Sequence, residues 1–168
     1  MSFKQTSQPV AVSFALAETA PNTYTQEEIA LQLDVLNNEI FVVLAIDLDL
    51  ESPDAIAATN TRVTSSLCST TQTATQGLGN SNCLSEARSE IRAAGFVDGG
   101  VGFERAANST YTGDVPYIGI ISTNNFFVQL VGVNNAAAKS VSGRLWGYRA
   151  KADAATYAAL VQSEVLSA

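Results

Sequence analysis

Residues 40–50 read Ile-Phe-Val-Val-Leu-Ala-Ile-Asp-Leu-Asp-Leu, and no other stretch restricts the fold so strongly. In an extended chain Ile40, Val42, Leu44, Ile46, Leu48 and Leu50 fall on one face. The other face begins with Phe41, Val43 and Ala45 and ends with Asp47, Asp49 and Glu51. Such a strand is buried on both faces at its start and emerges into water at its end.

The same period of two recurs along the chain. Val10, Val12, Phe14 and Leu16 alternate with small residues, which predicts a half-buried strand that Pro21 and Asn22 end. Residues 25–35 allow two readings. Thr25-Gln26-Glu27-Glu28 fits a helix capping box, whereas Ile29, Leu31, Leu33 and Val35 alternate as in a strand. The strand is favoured, with Leu36-Asn37-Asn38-Glu39 turning it into strand 40–50 as a hairpin. Residues 61–73 are rich in Thr and Ser and read as a more exposed strand. Residues 74–82 form a loop. Asn82 then caps a predicted helix over 83–94, with Leu84, Ala87, Ile91 and Ala94 as its stripe and Gly95 as its stop.

Gly99, Gly100 and Gly102 make 96–104 a bent strand, and 106–114 a loop. Tyr117–Ile121 and Phe126–Val133 are apolar strands, and Ser122-Thr123-Asn124-Asn125 between them signals a hairpin. Val141–Lys151 is the last strand, and Asp153 caps a closing helix with Tyr157, Leu160, Val161 and Val165 inward. With no internal repeat or linker, residues 1–168 read as a single β-rich domain.

About eight antiparallel strands in a chain of this size predict a mainly β, two-sheet, jelly-roll-like sandwich with a helix near 83–94 and a C-terminal helix. This element order resembles that of single jelly-roll viral capsid proteins, which often carry a helix between the fourth and fifth strands. The resemblance rests on element order and covers most of the chain. It implies a self-assembling shell subunit, made in the host cytoplasm and carried in the virion. The chain departs from that family in its N-terminal segment, where Lys4 is the sole cation before the first strand. The expectation is therefore no direct genome binding.

Chemistry-bearing residues are few. The 168 residues contain no histidine, which removes the commonest general base, Ser-His and Cys-His pairs, and histidine metal sites. A cupin-like enzyme, with the same architecture, needs such ligands. Asp47, Asp49 and Glu51 share one strand face. A glycosidase pair or a Ca²⁺ site could use such carboxylates, but neighbours on one strand cannot flank a glycosidic bond, and no Ca²⁺ loop spacing is present. A solvated strand end is the simpler reading. Gly99-Gly100-Val101-Gly102 lacks the Lys and Ser/Thr of a phosphate loop and reads as a bulge. No catalytic, cofactor or metal residues are assigned, and the expectation is a protein that is not an enzyme. A carboxylate-using enzyme is the least favoured function.

Cys68 and Cys83 match no metal or redox spacing and read as free structural thiols. Residues 1–20 lack a clean secretory apolar run, so the Asn108-Ser109-Thr110 sequon carries little weight and a cytoplasmic origin is expected. No run of about 18 apolar residues predicts a membrane span.

Arg144-Leu145-Trp146-Gly147-Tyr148-Arg149-Ala150-Lys151 is the one basic, aromatic stretch. Three readings compete: a core Trp with flanking charge, a subunit contact, and a base-stacking strip. The net charge of −7 counts against nucleic acid and anionic membrane. Charged residues are 15% of the chain, so its surface is largely neutral and could be buried against a partner with little desolvation; a bland soluble surface has the same composition. Arg144, Trp146, Tyr148 and Arg149 are therefore the candidate subunit interface, copies of the chain and other shell proteins its candidate partners. The competing function is a non-enzymatic jelly-roll binding module, lectin-like or receptor-binding.

Overall fold

A computed structural model describes residues 3–95, 103–108 and 115–168. Its strands are β1 (Phe3–Gln5), β2 (Val10–Ala17), β3 (Thr25–Ala30), β4 (Glu39–Leu50), β5 (Thr61–Cys68), β6 (Cys83–Arg92), β7 (Phe103–Asn108), β8 (Gly119–Ile121), β9 (Asn125–Val133) and β10 (Ser140–Ala152). Helix α1 (Ala154–Leu166) follows. The antiparallel pairs nest: β2 with β10, β3 with β9, β4 with β8, and β5 with β6. This is one long ribbon, and rolling it lays β10 on β4 and β9 on β5. Two five-stranded sheets result. The first runs β1 and β2 on one edge of β10, then β4 and β8; the second runs β3-β9-β5-β6-β7. A rolled ribbon closing into two facing sheets is a jelly roll, so the expected architecture is present.

The core lies between the sheets. Phe14, Phe41, Leu145 and Ile121 of the first sheet meet Phe126, Leu130, Val63 and Leu67 of the second. The rings of Phe14 and Phe126 meet edge to face, with centroids 5.8 Å apart. A second apolar cluster covers part of the first sheet's outer face, where Ile40, Val42, Ala150 and Ala152 lie under Tyr157 and Leu160 of α1. Asp153 caps this helix as expected, accepting from Thr156 N at 2.8 Å. Val165, expected inward, is exposed, and Glu164 is buried in its place.

Four sequence expectations are corrected. The helix over 83–94 is strand β6. Its inward residues are Ser85, Ala87 and Ser89, so its period of two is hidden by small polar side chains. Ladders to β5 on one side and β7 on the other supply its backbone partners and override the helix preference of its Glu, Ala and Arg residues. Asn82 caps nothing; its amide donates to Thr70 Oγ1 and to the Glu164 carbonyl.

The strand expected to be more exposed, β5, is central. Ser65 and Ser66 are fully buried, their hydroxyls donating to Gln129 O and Gln129 Oε1, each at 2.7 Å.

Neither expected hairpin forms. The 25–35 segment is a strand only to Ala30, and β3 and β4 join different sheets. Ser122-Thr123-Asn124 likewise carries the chain from β8 in the first sheet to β9 in the second. Residues 96–102 and 109–114, read as bent strand and loop, lie outside the described residues, while 106–108 belong to β7.

The fourth correction is within β4. Trp146 pairs with Ala45 and Gly147 with Val43, so Leu44 is an extra residue, a bulge. Phe41 and Val43 face the core before it, and Ile46 and Leu48 after it. Ile40 and Val42 therefore point outward, not with Ile46 as simple alternation requires. Gly147 permits this crossing: a Cβ there would lie 2.3 Å from Val42 O and 2.4 Å from the Phe41 ring.

Candidate subunit interface

The outer face of the first sheet is built from rows across β2, β10 and β4. Ala11, Trp146 and Ala45 form one row, Ser13, Arg144 and Asp47 the next, Ala15, Ser142 and Asp49 the third. Small neighbours on both sides leave the indole of Trp146 half-buried and Arg144 exposed. The Arg144 guanidinium carbon lies 5.9 Å from the Trp146 ring centre, a cation–π contact, and its Nε donates to Ser13 Oγ at 3.2 Å. Together with Asp47, Asp49 and Ser142 these residues line a shallow concavity of about 370 Å³. Two groups considered separately in the sequence, the β4 carboxylates and the basic-aromatic strip, are thus one surface. Glu51 stands apart, accepting from Ser140 N and Oγ at 3.0 Å.

The strip itself divides. Tyr148 shares the outward face with Arg144 and Trp146 but packs into the cluster under α1. Arg149 lies on the opposite face, where its Nη1 meets Glu39 Oε1 at 2.6 Å and Gln32 O at 3.1 Å, and its Nη2 donates to Leu31 O. Arg149 therefore holds the 31–39 connection in place, and Arg144 and Trp146 form the accessible part.

Glu18, Lys139 and Glu164, to which the sequence assigns no role, are buried. Glu18 accepts from the backbone N–H of Thr23, Gly132 and Lys139. Lys139 is 4% exposed and meets Asp54 Oδ1 at 2.6 Å. The hydrogen bond from Lys139, supported by the Ala136 and Ala137 N–H groups, holds Asp54 below the usual carboxylate range. Glu164 accepts from Ser122 N and Oγ and from Thr123 Oγ1, tying α1 to the β8–β9 crossing. Each has internal partners, which marks it as structural. Little in the local sequence announces them, because apart from Thr23 beside Glu18 these partners come from distant segments.

On the second sheet's outer face, Arg62, Arg88 and Arg92 surround Glu90 at 4.0, 3.9 and 3.5 Å. Among the described residues, no group of three or more His, Cys, Asp or Glu could hold a metal ion, and no helix is long and apolar enough to cross a membrane.

No protein-family model matches the sequence, and no curated protein matches it. Among solved structures, a chain from Desmodium yellow mottle tymovirus aligns over 84% of this chain and 87% of its own, with 10% identity and a TM-score of 0.30. At that score the alignment carries no argument about fold or function.

Proposed function

We propose that this chain is a structural, self-assembling subunit, a shell protein of a virion, whose partners are copies of itself and other shell proteins. Jelly rolls serve as capsid subunits, as lectins and as cupins. A chain without histidine lacks the cupin ligand set. The observation that carries the capsid reading is the open half of the first sheet. There Ala11, Ala15, Ala45, Ser13 and Ser142 form a shallow face of small residues around Trp146 and Arg144, with Asp47 and Asp49 its acidic members. Trp and Arg dominate interface energetics, and small neutral neighbours lose little hydration when covered. Repetition of one such contact by symmetry lets weak contacts sum to a stable shell.

The experiment is electron microscopy and light scattering of the purified protein, followed by Trp146→Ala. The wild type assembles; the variant keeps its circular dichroism spectrum and loses assembly, because an anchor worth about 2 kcal/mol per contact is gone. A wild type that stays monomeric at high concentration overturns the reading. The concavity, lined by Trp146, Arg144, Asp47 and Asp49, then favours a lectin-like binding module, and glycan binding by the monomer, abolished by the same substitution, supports it.

A further inference from the structure

Cys68 and Cys83 lie directly opposite each other where β5 and β6 pair, at the step in register that leaves Leu84 as the bulged residue. Both thiols are free and buried. Directly opposed residues of an antiparallel pair have Cα atoms about 4.5–5.5 Å apart, inside the range of about 4.4–6.8 Å that a disulfide spans. The loop between them doubles back over the second sheet: Gln76 N donates to Ser66 Oγ, and Gln72 N to Gln26 Oε1. The two cysteines are not equivalent. Cys68 is fully buried, whereas Cys83 is 9% exposed and lines an open groove of about 650 Å³ between α1, β8 and the 78–84 turn.

We propose that Cys68 and Cys83 form a two-thiol oxidation site that a peroxide entering the groove closes into an intramolecular disulfide. Cys83, the less buried of the two, whose thiol donates to Gln76 O and Ser85 O, attacks hydrogen peroxide as its thiolate. The S–O bond forms, the O–O bond breaks, and the departing hydroxide takes up the thiol's proton to become water. The Cys68 sulfur then attacks the sulfenic sulfur. The S–S bond forms, the S–O bond breaks, and the second hydroxide leaves with the Cys68 proton as water. The two sulfurs together lose two electrons, which the peroxide gains.

The contact between the thiols supports this order. The hydrogen bond with Cys68 holds Cys83 below the ordinary thiol range, and the same contact, with burial, pushes Cys68 up. Cys83 is thus the nucleophile and Cys68 the resolving thiol. The product pins the 69–82 loop to the sheet at both ends.

The test treats the folded full chain with hydrogen peroxide, then denatures it, alkylates it and weighs the intact protein. The expected product is a monomer lighter by two hydrogens that takes up no alkyl label, reverts with reductant and melts about 5 °C or more higher. Cys68→Ala stops at a sulfenic acid that dimedone traps on Cys83, and Cys83→Ala leaves Cys68 to be alkylated. If either variant fails to fold, the wild-type mass still decides. Two alkyl labels on treated wild type, disulfide-linked dimers alone, closure only in denaturant, or a lowered melting point each overturn the proposal.

Discussion

The two halves of the first sheet's outer face are made by the same strands, β4 and β10, yet they have opposite fates. In one half Ile40 and Val42 stand beside Tyr148, Ala150 and Ala152, and α1 covers them. In the other, Ala45, Asp47 and Asp49 stand beside Trp146, Arg144 and Ser142, open to solvent. The boundary is the bulge at Leu44 opposite Gly147. One extra residue changes which side chains of β4 face outward. Were Leu44 paired in simple alternation, with no bulge, the run from Ile40 to Leu50 would present a continuous apolar row to one side. With it, each half sends apolar residues into the core, and only the first half needs a helix above it.

Gly147→Leu breaks this division most severely. A Cβ at that position has no room between Val42 O and the Phe41 ring, so β10 cannot cross β4 beside the bulge, and no cooperative unfolding transition is expected in a denaturant melt. A Gly147→Leu variant with a native-like transition would show that the crossing does not depend on this close approach.

Leu44→Asp tests the bulge residue more gently. Simple alternation would bury Leu44 fully and make this substitution unfold the protein. In the structure Leu44 is half-buried, so the expected loss is about 1–3 kcal/mol, read from the shift in denaturant midpoint. A complete loss of folding would place Leu44 in the core after all.

Just beyond the open half, where β4 ends and β10 begins, Asp54 and Lys139 add a pH dependence. Folding lowers the Asp54 pKa, so its contribution is complete above the unfolded-chain value and is lost as pH falls through the folded value. Stability should therefore decline on acidification below the ordinary aspartate range. Asp54→Asn should be less stable at neutral pH and flatter in that acid limb, as measured by urea midpoints over a pH series. An unchanged acid limb would assign it to another carboxylate.

Asp49→Asn, in the open half, should change stability by no more than about 0.5 kcal/mol. Thermal melts check this, and a larger loss would mean that the open half supports the fold as well as presenting a surface.

Several features were legible in the residue order because they depend on near neighbours. Alternation marked β2 and β4 and an apolar run marked β9; Asp153 marked the start of α1; the spacing of Arg144, Trp146 and Tyr148 placed them on one face. The candidate interface was half legible for the same reason. Period two identified the shared face, but α1 claims Tyr148 and the 31–39 connection claims Arg149. The separation of Cys68 and Cys83 in sequence hid a register pair that exists only once β5 and β6 align.

The sequence by itself determined that this chain alternates in twos, carries little charge and has no histidine, because these are properties of residues and their immediate neighbours. Tertiary structure alone decided that residues 83–92 extend between two partner strands, that the serines of β5 are central and buried, and that β4 switches faces at Leu44. A strand's backbone hydrogen bonds are made with other segments, so its neighbours on the sheet settle whether a serine-rich or helix-prone stretch becomes one.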